Sequence, residues 1–314
     1  MFERIMKQPV MNRVLYALIP SLLLSVFLFG WRVLAVVMVA NIFAYATEYL
    51  FIYKKNASKV TMATFVTGTL LAMSLPPTIP IWMAAVGSIV AIAFGKMVFG
   101  GFGTNVFNPA ILGRTFVYIS FPQEMTIRWL QPYMLSDFPG GFLRWTGSSA
   151  MRTGATILGE YRMTGKLLSS GIDAFTGFIS GSIGETSALL IILAGIYLIW
   201  TKTAKWQPMI ATAISMTVFS LIFYPHANPL YFLCTGGALF GIVFMTTDPV
   251  SQAKGIYPIW IYGTLIGFLT VFIRKYSLFA EGFMFALLIT NSFMPIIEHG
   301  VAKIIKPAPK EAKA

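Results

Sequence analysis

Charge, cysteine and histidine are all scarce in this chain. Only 11% of its 314 residues are Asp, Glu, Lys or Arg, less than half the roughly 25% carried by soluble domains. One cysteine, Cys234, excludes a disulfide framework and a self-contained iron–sulfur cluster, which needs several thiolates. As a lone thiol, Cys234 reads as a buried bystander or, less readily, as a ligand shared between subunits. Two histidines, His226 and His299, leave little for a His-based metal site or catalytic triad. What is abundant is apolar: 57% hydrophobic and 15% aromatic residues, which excludes a disordered chain and indicates that lipid is the main solvent. Against that background, 23 Lys and Arg face 11 Asp and Glu, a net charge of +12. In a soluble protein that excess would suggest nucleic acid; here it bears on which side of a membrane the cations lie.

The uncharged blocks are too long for single helices. Residues 60–95 carry no charge, yet Pro76-Pro77-Thr78-Ile79-Pro80 interrupts them. A spanning helix needs about 17–25 residues, so this block predicts two short spans and a tight turn. Residues 206–247 repeat the pattern around Tyr224-Pro225-His226-Ala227-Asn228-Pro229. Further runs at 14–30, 33–53, 106–121, 183–201, 257–273 and 278–297 bring the expectation to ten spans. The first of them follows a polar stretch and no small-residue cleavage site, so it is expected to be a permanent span and not a signal peptide.

With the N-terminus inside, the cytoplasmic segments collect fourteen basic residues: Arg4, Lys7, Arg13, Lys54, Lys55, Lys59, Lys96, Lys202, Lys205, Lys254, Lys303, Lys306, Lys310 and Lys313. The short external turns hold Arg32, Arg274 and Lys275. This asymmetry predicts both termini in the cytoplasm and the long connection, residues 122–182, outside.

Two features suggest an internal duplication. Thr67-Gly68 and Thr235-Gly236 each open an apolar run, ending at Pro76 and at Asp248-Pro249, and Asn105 to Pro109 resembles Asn291 to Pro295. Five spans per half would turn the second copy upside down, an arrangement that places helix breaks and binding sites near the midplane. The expected fold class is therefore an all-α integral membrane protein of about ten transmembrane helices in two inverted five-helix repeats. Residues 1–121 form the first half, 122–182 the external loop, 183–300 the second half and 301–314 a basic cytoplasmic tail.

Candidate chemistry is sparse. The run from Gly95 to Asn105, rich in glycine, allows close backbone approach by a neighbour or a flat ligand, but it does not match a P-loop. Glu48, Glu185, Asp248, Glu281 and Glu298 lie in or beside spans, and carboxylates at membrane depth are candidates for an ion path. Glu48 and Asp248 are the two put forward for that role. In the loop, Arg152-Thr153-Gly154-Ala155-Thr156 leaves the Thr156 hydroxyl uncrowded and sets a phosphate-pairing guanidinium nearby. A threonine hydroxyl is a weak nucleophile and no base is evident, so modification of Thr156 would need another enzyme.

Taken in order, Pro76-Pro77, Gly95-Lys96, Gly100 to Ala110, Thr153-Gly154-Ala155-Thr156 and Phe244 to Val250 resemble one family across essentially the whole chain. It is that of the D subunit of the Rnf electron-transport complex and its relative, the B subunit of the sodium-translocating NADH:quinone oxidoreductase. The resemblance implies FMN joined by a phosphoester to Thr156, placed there by a flavin transferase, with Thr153, Gly154 and Ala155 completing the motif. An Asp is usual three residues before that motif's first Ser or Thr; here Ala150 stands there. Arg152, Asn108 and Arg114 are further expected cofactor contacts, and a second, non-covalent flavin such as riboflavin is compatible with the family.

The short stretch before the first span favours the Rnf subunit. The expected role is therefore an electron relay in an ion-translocating ferredoxin:NAD⁺ oxidoreductase, coupled to Na⁺ or H⁺ movement, in a bacterial or archaeal cytoplasmic membrane. Iron–sulfur and flavin subunits would be its partners. Three alternatives stand beside it: the quinone-reducing pump subunit, a non-redox channel or transporter for a small solute, and a scaffold subunit with an unused motif.

Overall fold

A computed structural model of the chain describes residues 5–53, 59–146, 161, 171–185, 187–225, 227–277, 279 and 281–305. The described residues are overwhelmingly helical. Two short strands, Ile5–Met6 and Val60–Thr61, pair in parallel, with Ile5 opposite Val60 and Met6 opposite Thr61.

Helix α1, Pro9–Phe29, opens on a proline whose missing N–H is no loss in the first turn. Helix α2, Arg32–Ile52, follows almost directly. Val33, Val36, Ala40, Ala44, Thr47 and Glu48 recur at helical spacing and are buried, whereas Met38, Ile42 and Leu50 are exposed. A one-sided burial pattern in which the exposed side is also apolar fits a helix between protein and lipid. Helices α3, Met62–Met73, and α4, Ile81–Ile92, flank the Pro76-Pro77 turn, and α4 runs on into a π-helical turn, Ala93–Met97. Arg32 fixes that proline turn by donating to the carbonyls of Pro77 and of Ile79, the latter at 2.6 Å.

After α5, Pro109–Ser120, come the short α6, Pro122–Thr126, and α7, Gly171–Thr176. The remaining helices are α8, Ala188–Trp200; α9, Trp206–Phe223; α10, Pro229–Cys234; α11, Ala238–Phe244; α12, Ile256–Tyr276; and α13, Phe283–Ile305. Helix α2 packs along α4 and α4 along α5, and α9 packs along α12 and α12 along α13. Leu28, Leu71, Ile111, Ile183, Phe240 and Leu287 belong to one buried cluster, so both halves share a core.

Five of the ten expected spans, α1, α2, α9, α12 and α13, are single helices long and apolar enough to cross a membrane. The other five are shorter. Helix α5 has 12 residues, about 18 Å at 1.5 Å per residue, against a hydrocarbon core of about 30 Å. In the run at 183–201 the helix spans Ala188–Trp200, and the Ser187 hydroxyl caps the Leu190 N–H at its start. The second piece of 206–247 is broken into α10 and α11 because Gly236 and Gly237 adopt positive φ, +65° and +67°. Non-helical backbone at such depth is tolerated because protein surrounds it.

The α9–α12 contact depends on small residues. A Cβ at Gly263 would stand 2.5 Å from Ala211 Cβ, and one at Gly267 would stand 2.6 Å from Ser215 Cβ. This is close packing of the Gly-x-x-x-Gly kind. Gly267→Leu is expected to cost about 1–3 kcal/mol through overpacking. Thermal unfolding in detergent measures it, with Gly300→Leu as the control that changes little, since no atom lies within 4 Å of a Cβ there.

Candidate functional site

Broken helices bring polar groups from both halves into the apolar interior. The N-terminus of α5 meets the C-terminal end of α11 through Asn108, whose Oδ1 accepts the Ile111 N–H at 3.2 Å while its Nδ2 donates to the Met245 carbonyl at 3.2 Å. Just beyond α11, Asp248 closes a turn by accepting from the Val250 N–H at 3.2 Å and the Ser251 hydroxyl at 2.7 Å. Between these elements lies a partly open cleft of about 60 Å³, lined by Lys96, Phe102, Asn105, Asn108, Phe244 and Asp248 among others. Gly95 allows α5 to start this close, because a Cβ there would stand 2.8 Å from Pro109 Cα.

At one edge of the cleft, the π-helical turn carries Lys96 into the interior, where it is 2% exposed. Its Nζ donates to Glu48 Oε2 at 2.7 Å, Thr61 Oγ1 at 2.5 Å and Thr64 Oγ1 at 2.8 Å, so all three ammonium protons have partners. The other Glu48 oxygen accepts from the Thr61 backbone N–H and hydroxyl, both at 3.1 Å. Such saturation is what a buried ion pair requires to offset its desolvation.

A larger charged network joins the two halves deeper inside. Arg114, on α5, sets Nη1 3.2 Å from Glu185 Oε1 and Nη2 2.6 Å from Glu281 Oε2, with Ser182 Oγ 3.4 Å from Nη2. Glu185 arrives on a non-helical segment held against the end of α3, where the Gly184 N–H donates to the Met73 carbonyl at 2.6 Å and the Ile183 N–H to that of Leu75 at 3.1 Å. Glu281 precedes α13, and its backbone carbonyl accepts from Arg274 Nε at 2.9 Å. Arg274 also donates to the carbonyls of Phe232, Thr235 and Gly236 at 2.7, 3.0 and 3.3 Å. These are the carbonyls that the break between α10 and α11 leaves without helical partners, and a guanidinium at a helix C-terminus also opposes the helix dipole.

The start of the long connection is docked on the α1–α2 turn. The Trp31 and Arg32 N–H groups donate to the carbonyls of Arg144 and Trp145 at 3.0 and 2.8 Å, Trp31 Nε1 donates to that of Phe142 at 2.7 Å, and the Tyr133 N–H donates to that of Leu28 at 3.1 Å.

A model of the NQR2, RnfD, RnfE family matches residues 3–306. The chain belongs to that family. Among its relatives, a Pseudomonas aeruginosa (strain LESB58) protein, named as the B subunit of a Na(+)-translocating NADH-quinone reductase, is 36% identical over 260 residues, 78% of this chain and 61% of that protein. Proteins of the same name from Stutzerimonas stutzeri (strain A1501) and Azotobacter vinelandii (strain DJ) are 38% and 37% identical over 258 and 254 residues, covering 77% and 76% of this chain and 60% and 59% of theirs. The chain thus spans about three fifths of the length of these family members.

Of the expected site residues, Asn108 and Asp248 come together at the cleft, Glu48 is locked to Lys96, and both terminal nitrogens of Arg114 are engaged by carboxylates. Arg152, Thr153, Gly154, Ala155 and Thr156 lie outside the described residues, as do Ala150 and His226. His299 is exposed, and the Glu298 carboxylate accepts the Lys254 N–H at 2.5 Å. No group of three His, Cys, Asp or Glu that would hold a metal occurs among the described residues. Two cations counted toward sidedness, Lys96 and Arg274, are buried in protein and do not face headgroups. Sequence reasoning also passed over the joining of Arg114 to Glu185 and Glu281; the available signal was an arginine inside an otherwise uncharged block.

Proposed function

We propose that the chain is a membrane subunit of a redox-driven, ion-translocating oxidoreductase complex, holding FMN covalently on Thr156 and relaying electrons between partner subunits. The observation that carries this reading is the family match over residues 3–306, which takes in the Thr153-Gly154-Ala155-Thr156 motif. Among the two redox assignments, the relatives' shared name favours a sodium-translocating NADH:quinone oxidoreductase over the ferredoxin:NAD⁺ type expected from the sequence. Bound FMN would supply the electron-accepting and electron-donating chemistry, while the chain supplies position and electrostatics.

The inverted repeat and its ten spans belong to the same proposal. Lys96 and Arg274 support it: each stands near the C-terminal end of its half's fourth proposed span and reaches the region of the third, at Thr61 and Thr64 or at Phe232 and Thr235. The Asn105 and Asn291 segments do not add to it, because Asn108 caps a helix start while Asn291 and Pro295 lie within α13. A cytoplasmic placement of both termini, with residues 122–182 outside, rests on the distribution of the remaining cations.

At about 60 Å³ the cleft is far below the roughly 300–1,000 Å³ of small-molecule pockets, so a second, non-covalent flavin is not placed there. The cleft's lining of Phe102, Phe244, Asn105, Asn108 and Asp248 combines aromatic, amide and carboxylate groups. Asp248 at the cleft and Glu48 beside it are the proposed ion-path carboxylates.

The function is tested by purifying the chain with its partner subunits and reconstituting them in liposomes. NADH with a short-chain quinone is expected to drive Na⁺ uptake. Uptake driven only by reduced ferredoxin and NAD⁺ would return the assignment to the Rnf type, and solute movement without electron transfer would overturn the redox reading.

A further inference from the structure

Five residues beyond Thr156, the half-buried Tyr161 touches the second half of the molecule. Its ring centroid lies 5.9 Å from that of Tyr224, at the C-terminal end of α9, and 5.6 Å from that of Phe232, in α10, with interplanar angles of 69° and 90°. Tyr224 and Phe232 themselves stack at 4.6 Å, and Lys275 Nζ sits 4.8 Å from the centroid of Tyr224. Edge-on contact with two rings is the favoured geometry for aromatic pairs. The upstream anchor, Trp145 on the α1–α2 turn, is eleven residues from Thr156 and leaves about 36–40 Å of chain; five residues reach at most about 16–18 Å. The aromatic seat is therefore the tighter of the two tethers.

We propose that Tyr161 is a positioning residue for the flavin: its ring, seated on Tyr224 and Phe232, ties the flavin-bearing segment to α9 and α10 and keeps the Thr156-linked isoalloxazine within reach of its electron-transfer partners. The proposal rests on the Thr156 reading. Covalent attachment fixes the cofactor to Thr156, and the Tyr161 seat gives the chain five residues further on a fixed point on α9 and α10. The hydroxyl is not required, because the ring contacts carry the docking.

The test compares wild type, Tyr161→Ala and Tyr161→Phe in the complete complex, coexpressed with the flavin transferase. Tyr161→Ala is expected to keep covalent flavin on a denaturing gel, to lower the fluorescence anisotropy of the bound flavin, and to reduce kcat about tenfold with KM unchanged, as two ring contacts are lost. Tyr161→Phe is expected to match wild type in all three. Wild-type anisotropy and kcat in Tyr161→Ala would overturn the proposal. If the wild-type chain itself carries no covalent flavin, the Thr156 reading fails separately. Limited proteolysis within residues 147–170 then decides the seat: faster cleavage in Tyr161→Ala supports docking by Tyr161, and unchanged cleavage overturns it.

Discussion

Arg114→Leu is expected to destabilise the protein by about 3–5 kcal/mol, the range for removing one partner of a buried ion pair. The size of the effect follows from what remains. Arg114, Glu185 and Glu281 are at most 8% exposed, and the guanidinium is the group that touches both carboxylates. Without it, Glu185 and Glu281 stay in the interior with Arg274 as the nearby cation, and Arg274 is engaged mainly with carbonyls. Lysine at 114 restores the charge but not the fork that reaches two carboxylates at once, so Arg114→Lys should fall between the two. The triple replacement Arg114→Leu, Glu185→Gln, Glu281→Gln removes the stranded charges and should recover much of the loss. Thermal unfolding in detergent, with yield of folded protein as a second readout, distinguishes these cases. A tolerated Arg114→Leu would mean that the two halves do not depend on this network.

The long apolar helices were legible because their signal is local. Each of α1, α2, α9, α12 and α13 is a run of apolar residues bounded by charge, proline or glycine, and each emerges close to its expected position. The shorter elements were not, for a physical reason. Hydropathy does not distinguish helical from non-helical backbone when both are buried in protein, so the run from 183 reads as the start of a span although Ile183, Gly184, Glu185 and Ser187 are not helical. The break at Gly236-Gly237 depends on two positive φ values. The charged networks were least legible, since they join residues far apart in the chain. Nothing near Lys96 in sequence points to Glu48, and nothing near Arg114 points to Glu281. At the cleft the reverse held: Asn108 and Asp248 were both named from sequence, and the start of α5 and the end of α11 bring them to one place.

The other large effect is chemical. Thr156→Ala removes the hydroxyl oxygen to which the FMN phosphate would be joined, and the flanking Gly154 and Ala155 offer no substitute nucleophile. Loss of covalent flavin should therefore be complete, and electron transfer through the complex should fall with it. Thr153→Ala separates position from motif: it keeps the Thr156 hydroxyl and is expected to lower flavin loading without abolishing it.

Covalent FMN on Thr156 is checked by coexpressing the chain with its flavin transferase, denaturing it, and reading flavin fluorescence in the gel band. A fluorescent wild-type band is expected, with FMN on the peptide containing Thr156 by mass spectrometry, and a dark Thr156→Ala band at equal protein. A dark wild-type band, or a Thr156→Ala band as bright as wild type, would contradict that attachment.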